Sequence, residues 1–235
     1  MSAVRVEPLG ERAWLLRLGE DIDAGCNLRV HALARHIRER APTWLEDVVP
    51  AYASLAVVLR MDALDSRAVA RDWLHACAEA PWTVNEGPAN PVEIPVLYGG
   101  DAGPDLTSMA EALNLPVDDL IRRHSTGDYL VAMLGFAPGF PYLLGLDPAL
   151  AMPRLDRPRT TVPAGSVGIG GSQTGIYPQA GAGGWRLLGR TPLRLFDAGR
   201  EPPALLQPGQ RVRFVPIDGE RFAALASTTG GIDAD

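Results

Sequence analysis

The sequence predicts an α+β protein built from a small α/β sandwich followed by a β-barrel. Up to residue 85, pairs of short strand-like runs alternate with two amphipathic helical patterns. From residue 129 onward, short apolar runs recur between glycine-rich turns, a spacing typical of a closed or nearly closed barrel. Residues 86–91, EGPANP, form a break in composition between the two regions. We therefore predict domains at residues 1–88 and 89–226, with a flexible tail at 227–235.

In the first domain, two strand–strand–helix units follow one another. Short β-prone runs bounded by turn residues predict the strands, and apolar residues spaced three and four apart predict the helices. Val30, Leu33 and Ile37 show the helical spacing, and Asp62 or Asp65 could cap the second helix. The predicted strands are residues 4–8, 13–18, 48–51 and 55–60, the helices are 22–40 and one that ends near 80, and a closing strand is placed at 83–85.

The barrel domain opens with a strand at residues 92–97 and two short helices joined by Asn-Leu-Pro. This helix pair resembles a helix-turn-helix. However, Asp118 and Asp119 at the start of its second helix would face phosphate groups, so we predict no nucleic-acid binding. The predicted barrel strands are residues 129–134, 166–169, 174–177, 185–189, 193–196 and 211–216.

Composition excludes several kinds of partner and cofactor. The formal net charge of −6 argues against binding a phosphate backbone. All 22 basic residues are arginine. A Walker-type phosphate loop and a cofactor attached covalently to lysine are therefore excluded. No run has metal-ligand spacing, and no apolar run approaches the ~20 residues of a membrane span. The two separated cysteines and the absence of an apolar signal core predict a cytoplasmic protein.

Residues 135–177 begin with a shaped loop, GFAPGFPYLLGL, that is too apolar and aromatic to be a linker. Pro138 and Pro141 fix the backbone, while Phe136 and Phe140 supply aromatic rings. Ordered loops of this kind often carry binding sites, although a proline-braced corner of a β-fold has the same composition. We predict that the loop lines a pocket in the barrel.

Polar residues near this loop are candidates for binding a small carboxylate. Arg159 could hold a carboxylate with two hydrogen bonds, and Gln173 follows a glycine pair that lets the backbone approach a ligand. His124 falls on the apolar face at a helix end, so it is either a core histidine or a general base. A Ser-His-Asp triad at Ser166 would require His124. The arginines that could bind an anion are Arg154, Arg157, Arg159, Arg186, Arg190 and Arg194, although solvated barrel strands are the simpler interpretation for most of them.

Three motifs make the chain resemble the family of bacterial 5-oxoprolinase B subunits. They are GFAPGFPYLLGL, PRTTVPAGSVGIGGSQTGIYP and GGWRLLGRTPLRLFD, and the resemblance extends from Val4 to Pro216. The family includes KipI, an inhibitor of a sporulation histidine kinase, and is similar to allophanate hydrolase subunit 1. The resemblance assigns no catalytic residue, and we take His124 as the candidate base. The candidate substrate-binding residues within the motifs are Phe136, Pro138, Phe140, Pro141, Arg159, Ser166, Gln173 and Tyr177.

The resemblance also carries expectations about fold, partners and chemistry. It implies a ferredoxin-like first domain and a cyclophilin-like barrel. It implies that the 5-oxoprolinase C and A subunits complete an enzyme that uses ATP, with magnesium, to open 5-oxoproline to glutamate. Two other functions stay open: a KipI-like module that binds a histidine kinase, and a subunit of an allophanate or urea amidolyase-type hydrolase.

Overall fold

The computed structural model describes residues 4–84 and 90–228. The chain divides into two units, Met1–Gly87 and Pro88–Asp235. Most of the predicted boundary at 86–91 lies outside the described residues, as do residues 229–235 of the predicted tail. Within the described part, no helix is both long enough and apolar enough to cross a membrane.

The first unit is a four-stranded antiparallel sheet with two helices. The order strand, strand, helix occurs twice along the chain, as the periodicity predicts. Neighbouring strands follow the order first, second, fourth, third. The elements are β1 (Arg5–Leu9), β2 (Ala13–Arg17), α1 (Ala24–Arg40), β3 (Leu45–Pro50), β4 (Ser54–Leu59) and α2 (Arg67–Glu79).

Alternate residues of the strands pack against the apolar stripes of the two helices. Leu16 on β2 and Val57 on β4 are fully buried in one core with Leu33 of α1. Each such side chain contributes on the order of 1.5–3 kcal/mol through burial. Helix α1 begins at Ala24 rather than at the expected residue 22, because the carboxylate of Asp23 accepts a hydrogen bond from the Cys26 amide at 2.7 Å and caps the helix there.

Two expectations for this unit are wrong. Neither Asp62 nor Asp65 caps α2, because a short 3-10 helix, Met61–Ser66, runs directly into it and Ser66 at its N-cap makes no side-chain capping bond. The closing strand expected at 83–85 is not formed by Thr83 or Val84, and Asn85 lies outside the described residues. Thr83 and Val84 resemble a strand in sequence, but they pair with none of the strands that the structure describes.

The second unit contains the predicted closed barrel, which has seven strands, together with a separate two-stranded ribbon. Two helices lie in sequence between its first two barrel strands, as expected. Its elements are β5 (Val92–Tyr98), α3 (Leu106–Ala112), α4 (Val117–Ser125), β6 (Tyr129–Leu134), β7 (Pro141–Leu144), β8 (Arg159–Val162), β9 (Ser166–Gly170), β10 (Gln173–Ile176), β11 (Gly181–Gly183), β12 (Arg186–Arg190), β13 (Arg211–Pro216) and α5 (Gly219–Thr228).

The barrel closes in the order β10, β7, β6, β13, β5, β12, β9 and back to β10. All neighbours are antiparallel except β13 and β5, which pair in parallel from Val212 opposite Val92 to Pro216 opposite Val96. Strands β8 and β11 form the ribbon. The barrel interior is filled by buried side chains that include Ile94.

The structure differs from the predicted second domain at residues 193–196 and at residues 219–228. Residues 193–196 form no barrel strand; only Phe196 makes an isolated bridge, to Ala204. The segment 219–228 forms α5, which begins where the Asp218 side chain accepts a hydrogen bond from the Arg221 amide at 2.8 Å. Helix α5 therefore extends two residues into the segment predicted as a tail.

Candidate functional site

An aromatic pocket of about 240 Å³ opens in the second unit beside the loop that joins β6 to β7. Its walls come from this loop, from the chain just after β10, and from the ribbon with the residues that follow it. The structure therefore places a cavity where the sequence predicts one. Its principal lining side chains are Phe136, Phe140, Tyr142, Arg154, Tyr177 and Trp185.

The β6–β7 loop is held in shape by its own backbone. The Gly135 amide donates to the Phe140 carbonyl at 3.1 Å, and the Phe140 amide donates to the Ala137 carbonyl at 3.0 Å. Gly139 has φ +78°, and a Cβ there would lie 2.8 Å from the Phe196 Cβ. The glycine is therefore required twice, for its conformation and for the close approach.

Phe136 forms the exposed rim of the pocket. Its side chain is 72% exposed, and its φ of +67° lies in the left-handed region. A non-glycine residue held there costs on the order of 1–3 kcal/mol, and such strain is concentrated at functional sites. The ring packs edge-on against Phe140, with the ring centres 5.5 Å apart. The loop thus holds a large apolar ring in solvent at the mouth of the pocket.

The floor of the pocket is a cluster of rings around Phe140, which is 2% exposed; the Tyr177 and Trp185 rings are perpendicular to it and the Tyr142 ring is tilted by 53°. The Phe140 ring centre lies 4.9 Å from that of Tyr142, 5.2 Å from Tyr177 and 5.5 Å from Trp185. The edge-to-face pairs with Tyr177 and Trp185 are each favourable by about 0.5–1.5 kcal/mol beyond the burial itself. The cluster is therefore a rigid apolar surface on which a flat ligand can rest.

Two polar groups stand out in this apolar lining. Arg154 is exposed, and its guanidinium carbon lies 5.8 Å from the centre of the Trp185 ring. Tyr177 is 3% exposed, and burial raises the pKa of its hydroxyl against the lowering effects of the Trp185 backbone and of Arg154. The pocket can therefore offer a cation and a neutral hydroxyl to a ligand.

His124 lies inside the barrel core and does not line the pocket. Its side chain is fully buried, and its ring stacks on Phe214 with ring centres 4.5 Å apart. Thr174 uses its hydroxyl proton on the Gly168 carbonyl at 3.0 Å, so it accepts from His124 Nε2 at 3.0 Å. His124 Nδ1 then accepts from the Tyr98 hydroxyl at 2.7 Å.

These bonds use both ring nitrogens of His124. Burial lowers the pKa of His124 to about 3, so the imidazole is neutral at pH 7. Of the two interpretations left open by the sequence, the geometry places His124 as a core histidine and removes it from contact with a ligand in the pocket. It also rules out the Ser166 triad, since Ser166 is buried and His124 has no nitrogen left for it.

Arg159 is a brace between the ribbon and the barrel wall. Its Nη2 donates to Asp105 Oδ1 at 2.7 Å, and Asp105 Oδ2 accepts from the Leu187 amide at 2.7 Å. Asp105 is 8% exposed, so the ion pair is largely desolvated on that side. Arg159 Nη1 is buried and has no hydrogen-bond partner among the described residues. Its backbone pairs with Gly183 in the pocket wall.

We expect Arg159→Ala to lower the free energy of unfolding by about 1–3 kcal/mol, because it leaves the buried Asp105 carboxylate without its cation. The measurement is urea denaturation of Arg159→Ala, of Asp105→Asn and of the double variant. The double variant should cost less than the sum of the two singles. Arg157→Ala, which removes an exposed arginine two residues away, is the control. Strict additivity of the two changes would contradict this role for the ion pair.

The remaining predicted site residues lie around the pocket rather than in it. Gln173 is half-buried at the start of β10, and Pro141 is buried at the start of β7. Pro138 is exposed and borders a shallow depression on the outer side of the loop. The structure therefore brings Phe136, Phe140 and Tyr177 together at the pocket and separates them from His124.

Tyr142 belongs to the loop that the sequence predicts as a pocket wall, whereas sequence reasoning missed Trp185 and did not single out Arg154 from the other arginines. Trp185 stands in the motif GGWRLL beside two glycines, which is the signal that could have identified it. Gly183 must be glycine because a Cβ there would lie 2.4 Å from the Tyr177 hydroxyl oxygen.

In residues 4–84 and 90–228, no group of three or more His, Cys, Asp or Glu side chains could hold a metal ion.

Comparison with known proteins agrees with the motifs. The family model of the carboxyltransferase domain, subdomain C and D, matches residues 4–206. The chain is 42% identical to the 5-oxoprolinase B subunit of Bacillus subtilis over 94% of this chain and 95% of that protein. It is 41% identical to the 5-oxoprolinase B subunit of Escherichia coli O157:H7 over 92% of this chain and 97% of that protein.

One solved structure has a fold similar to that of this chain. The crystal structure of the Kluyveromyces lactis urea carboxylase matches with a TM-score of 0.69 and 19% identity. The match covers 96% of this chain and 23% of that protein. At this identity the likeness shows the fold alone.

Proposed function

This chain belongs to the family of 5-oxoprolinase B subunits, within the carboxyltransferase subdomain C and D family, and we propose that it acts as the B subunit of an ATP-dependent 5-oxoprolinase. The observation that carries the proposal is the identity of more than 40% to two proteins of that name across nearly the whole chain. The C and A subunits would complete the enzyme in the cytoplasm. The two units would correspond to the ferredoxin-like and cyclophilin-like parts that the motifs imply.

The aromatic pocket supports a role in holding the substrate. Its volume of about 240 Å³ lies below the ~300–1,000 Å³ of sites for drug-sized ligands, so it suits a single small ring. The reaction opens an unstrained cyclic amide, which calls for activation by phosphoryl transfer and for exclusion of water. Phe140 and the rings around it would exclude water from one face of the substrate.

The residues of this pocket do not fit ATP with magnesium. The cavity is too small for a nucleotide, the chain has no lysine for the phosphates, and the described residues offer no metal-binding cluster. The ATP of the proposed reaction would therefore be held by one of the partner proteins. This chain would contribute the binding and orientation of the lactam.

A second candidate function is a KipI-like module that binds a histidine kinase. The observation that favours it is the exposure of Phe136, since exposed aromatic residues are enriched in protein–protein interfaces. The alternative of an allophanate or urea amidolyase-type hydrolase is supported by the likeness of the fold only.

The test of the proposed function is reconstitution. The chain is co-expressed with its candidate A and C subunits, and ATP hydrolysis that depends on 5-oxoproline is measured with and without this chain. We expect a stable complex on size exclusion and activity only when all three are present. Separate elution at micromolar concentration, or a complex with no hydrolysis that depends on 5-oxoproline, would contradict the proposal.

A further inference from the structure

The geometry points to Arg154 and Tyr177 as the two residues that select the ligand of the aromatic pocket, a small ring bearing both a carboxylate and a lactam carbonyl. Arg154 binds the carboxylate, and the Tyr177 hydroxyl donates to the lactam carbonyl. The lactam part of this assignment rests on the proposed function.

Arg154 is the cationic group that the pocket leaves available. It makes no hydrogen bond or ion pair with any described residue. The nearby arginines are engaged: Arg159 with Asp105, and Arg186 with the Pro153 carbonyl at 3.0 Å. Since no acidic side chain lines the cavity among the described residues, the electrostatic preference is for an anion.

The aromatic wall orients the guanidinium of Arg154. Its carbon lies 5.8 Å from the centre of the Trp185 ring, within the range of a cation–π contact. This contact restrains a flexible side chain and leaves its N–H donors unused. A guanidinium with free donors suits a carboxylate, because the two can form paired hydrogen bonds.

Tyr177 supplies the neutral donor. The Tyr177 side chain lines the pocket, and no described acceptor takes the proton of its hydroxyl. Burial raises the pKa of this hydroxyl, so it keeps its proton at neutral pH. The hydroxyl oxygen lies against Gly183 in the pocket wall, where a ligand carbonyl can accept its proton.

The glycines of the ribbon set the space available to the ligand. Gly183 leaves room for the Tyr177 hydroxyl, and Gly184 lies beside Pro158 in the pocket wall. A Cβ at Gly184 would lie 3.5 Å from the Pro158 Cγ, an ordinary van der Waals contact. Gly184→Val should therefore fold normally while its methyl groups reduce the cavity.

The experiment compares three ligands on the purified full chain by calorimetry. They are 5-oxoproline, 2-pyrrolidinone, which lacks the carboxylate, and cyclopentanecarboxylate, which lacks the lactam. We expect Arg154→Ala to weaken 5-oxoproline and cyclopentanecarboxylate about 10-fold to 100-fold and to leave 2-pyrrolidinone unchanged, because charged hydrogen bonds are the stronger ones. Tyr177→Phe should weaken 5-oxoproline and 2-pyrrolidinone about 5-fold to 10-fold and spare cyclopentanecarboxylate.

The controls separate this inference from the proposed function. Arg157→Ala removes a neighbouring exposed arginine outside the pocket and should change no affinity. If Arg154→Ala behaves like Arg157→Ala, or if wild type binds none of the three ligands, the inference is overturned. If the assembled complex is active but its KM for 5-oxoproline is unchanged by Arg154→Ala and Gly184→Val, the inference fails while the function stands. Selective binding by the chain in a complex without activity would support the anion site and contradict the function.

Discussion

Lowering the pH from 7 to 4 should reduce the free energy of unfolding of the wild-type protein. We expect this decrease to be about 3 kcal/mol larger than the decrease in a His124→Gln variant. The folded pKa of His124 is about 3, against an ordinary value of 6.5. The unfolded chain therefore binds the proton first. The contribution of the neutral His124 ring to the free energy of unfolding is therefore fully present above pH 6.5, and it is lost as the pH falls towards 3.

The measurement is urea denaturation at several pH values, with wild type compared with His124→Gln at each pH so that other titrating groups cancel. Glutamine retains hydrogen-bonding atoms but does not titrate in this range. His36, whose pKa burial also lowers, is present in both proteins. His75→Gln removes an exposed imidazole and serves as the control. Parallel pH profiles for wild type and His124→Gln would show that His124 is not buried as a neutral ring.

Gly103→Ala should cost at least about 3 kcal/mol of unfolding free energy or prevent folding altogether. A Cβ at Gly103 would lie 1.9 Å from the Leu188 carbonyl oxygen, and this oxygen already accepts from the Gly99 amide at 3.0 Å. Backbone atoms cannot give way as a flexible side chain does. The segment before α3 would have to leave β12, and Asp105 would lose its bond to the Leu187 amide.

Thermal or urea denaturation measures this change, and loss of folded protein on expression counts as the expected result. Gly219→Ala is the matched control, since a Cβ at Gly219 meets nothing within 4 Å. A Gly103→Ala protein within about 1 kcal/mol of wild type would show that α3 is not held against β12 as described.

Local pattern predicted most of the elements, because each rests on a short-range property. The helical spacing of Val30, Leu33 and Ile37 reflects a face buried within a single helix. The failures arise where tertiary contacts decide. Residues 193–196 are apolar enough for a strand, yet pairing in the barrel is taken up by other segments. The segment 219–228 has a weak apolar stripe with no buried residue, so its helix left little signal.

The sequence predicted the type of candidate site, but it did not predict every residue that lines the site. Glycines, prolines and aromatic rings in one loop indicated a shaped pocket, and Phe136, Phe140 and Tyr177 are found there. Which arginine faces the pocket depends on long-range partners. Arg159 is tied to Asp105, 54 residues earlier, whereas Arg154 is left beside Trp185. A single sequence does not reveal such pairings.

The parallel pairing of β5 with β13 has a consequence for the order of events during synthesis. Glu93 and Arg213 lie opposite each other although 120 residues separate them, and every other barrel strand lies between them in the chain. The barrel therefore cannot close until residue 216 has left the ribosome, and until then β5 lacks one neighbour. Such long-range closure is slow, so unpaired strand edges stay open to aggregation in the meantime. We expect nascent chains truncated before β13 to depend on chaperones, whereas the first unit, Met1–Gly87, emerges earlier and folds before the barrel closes.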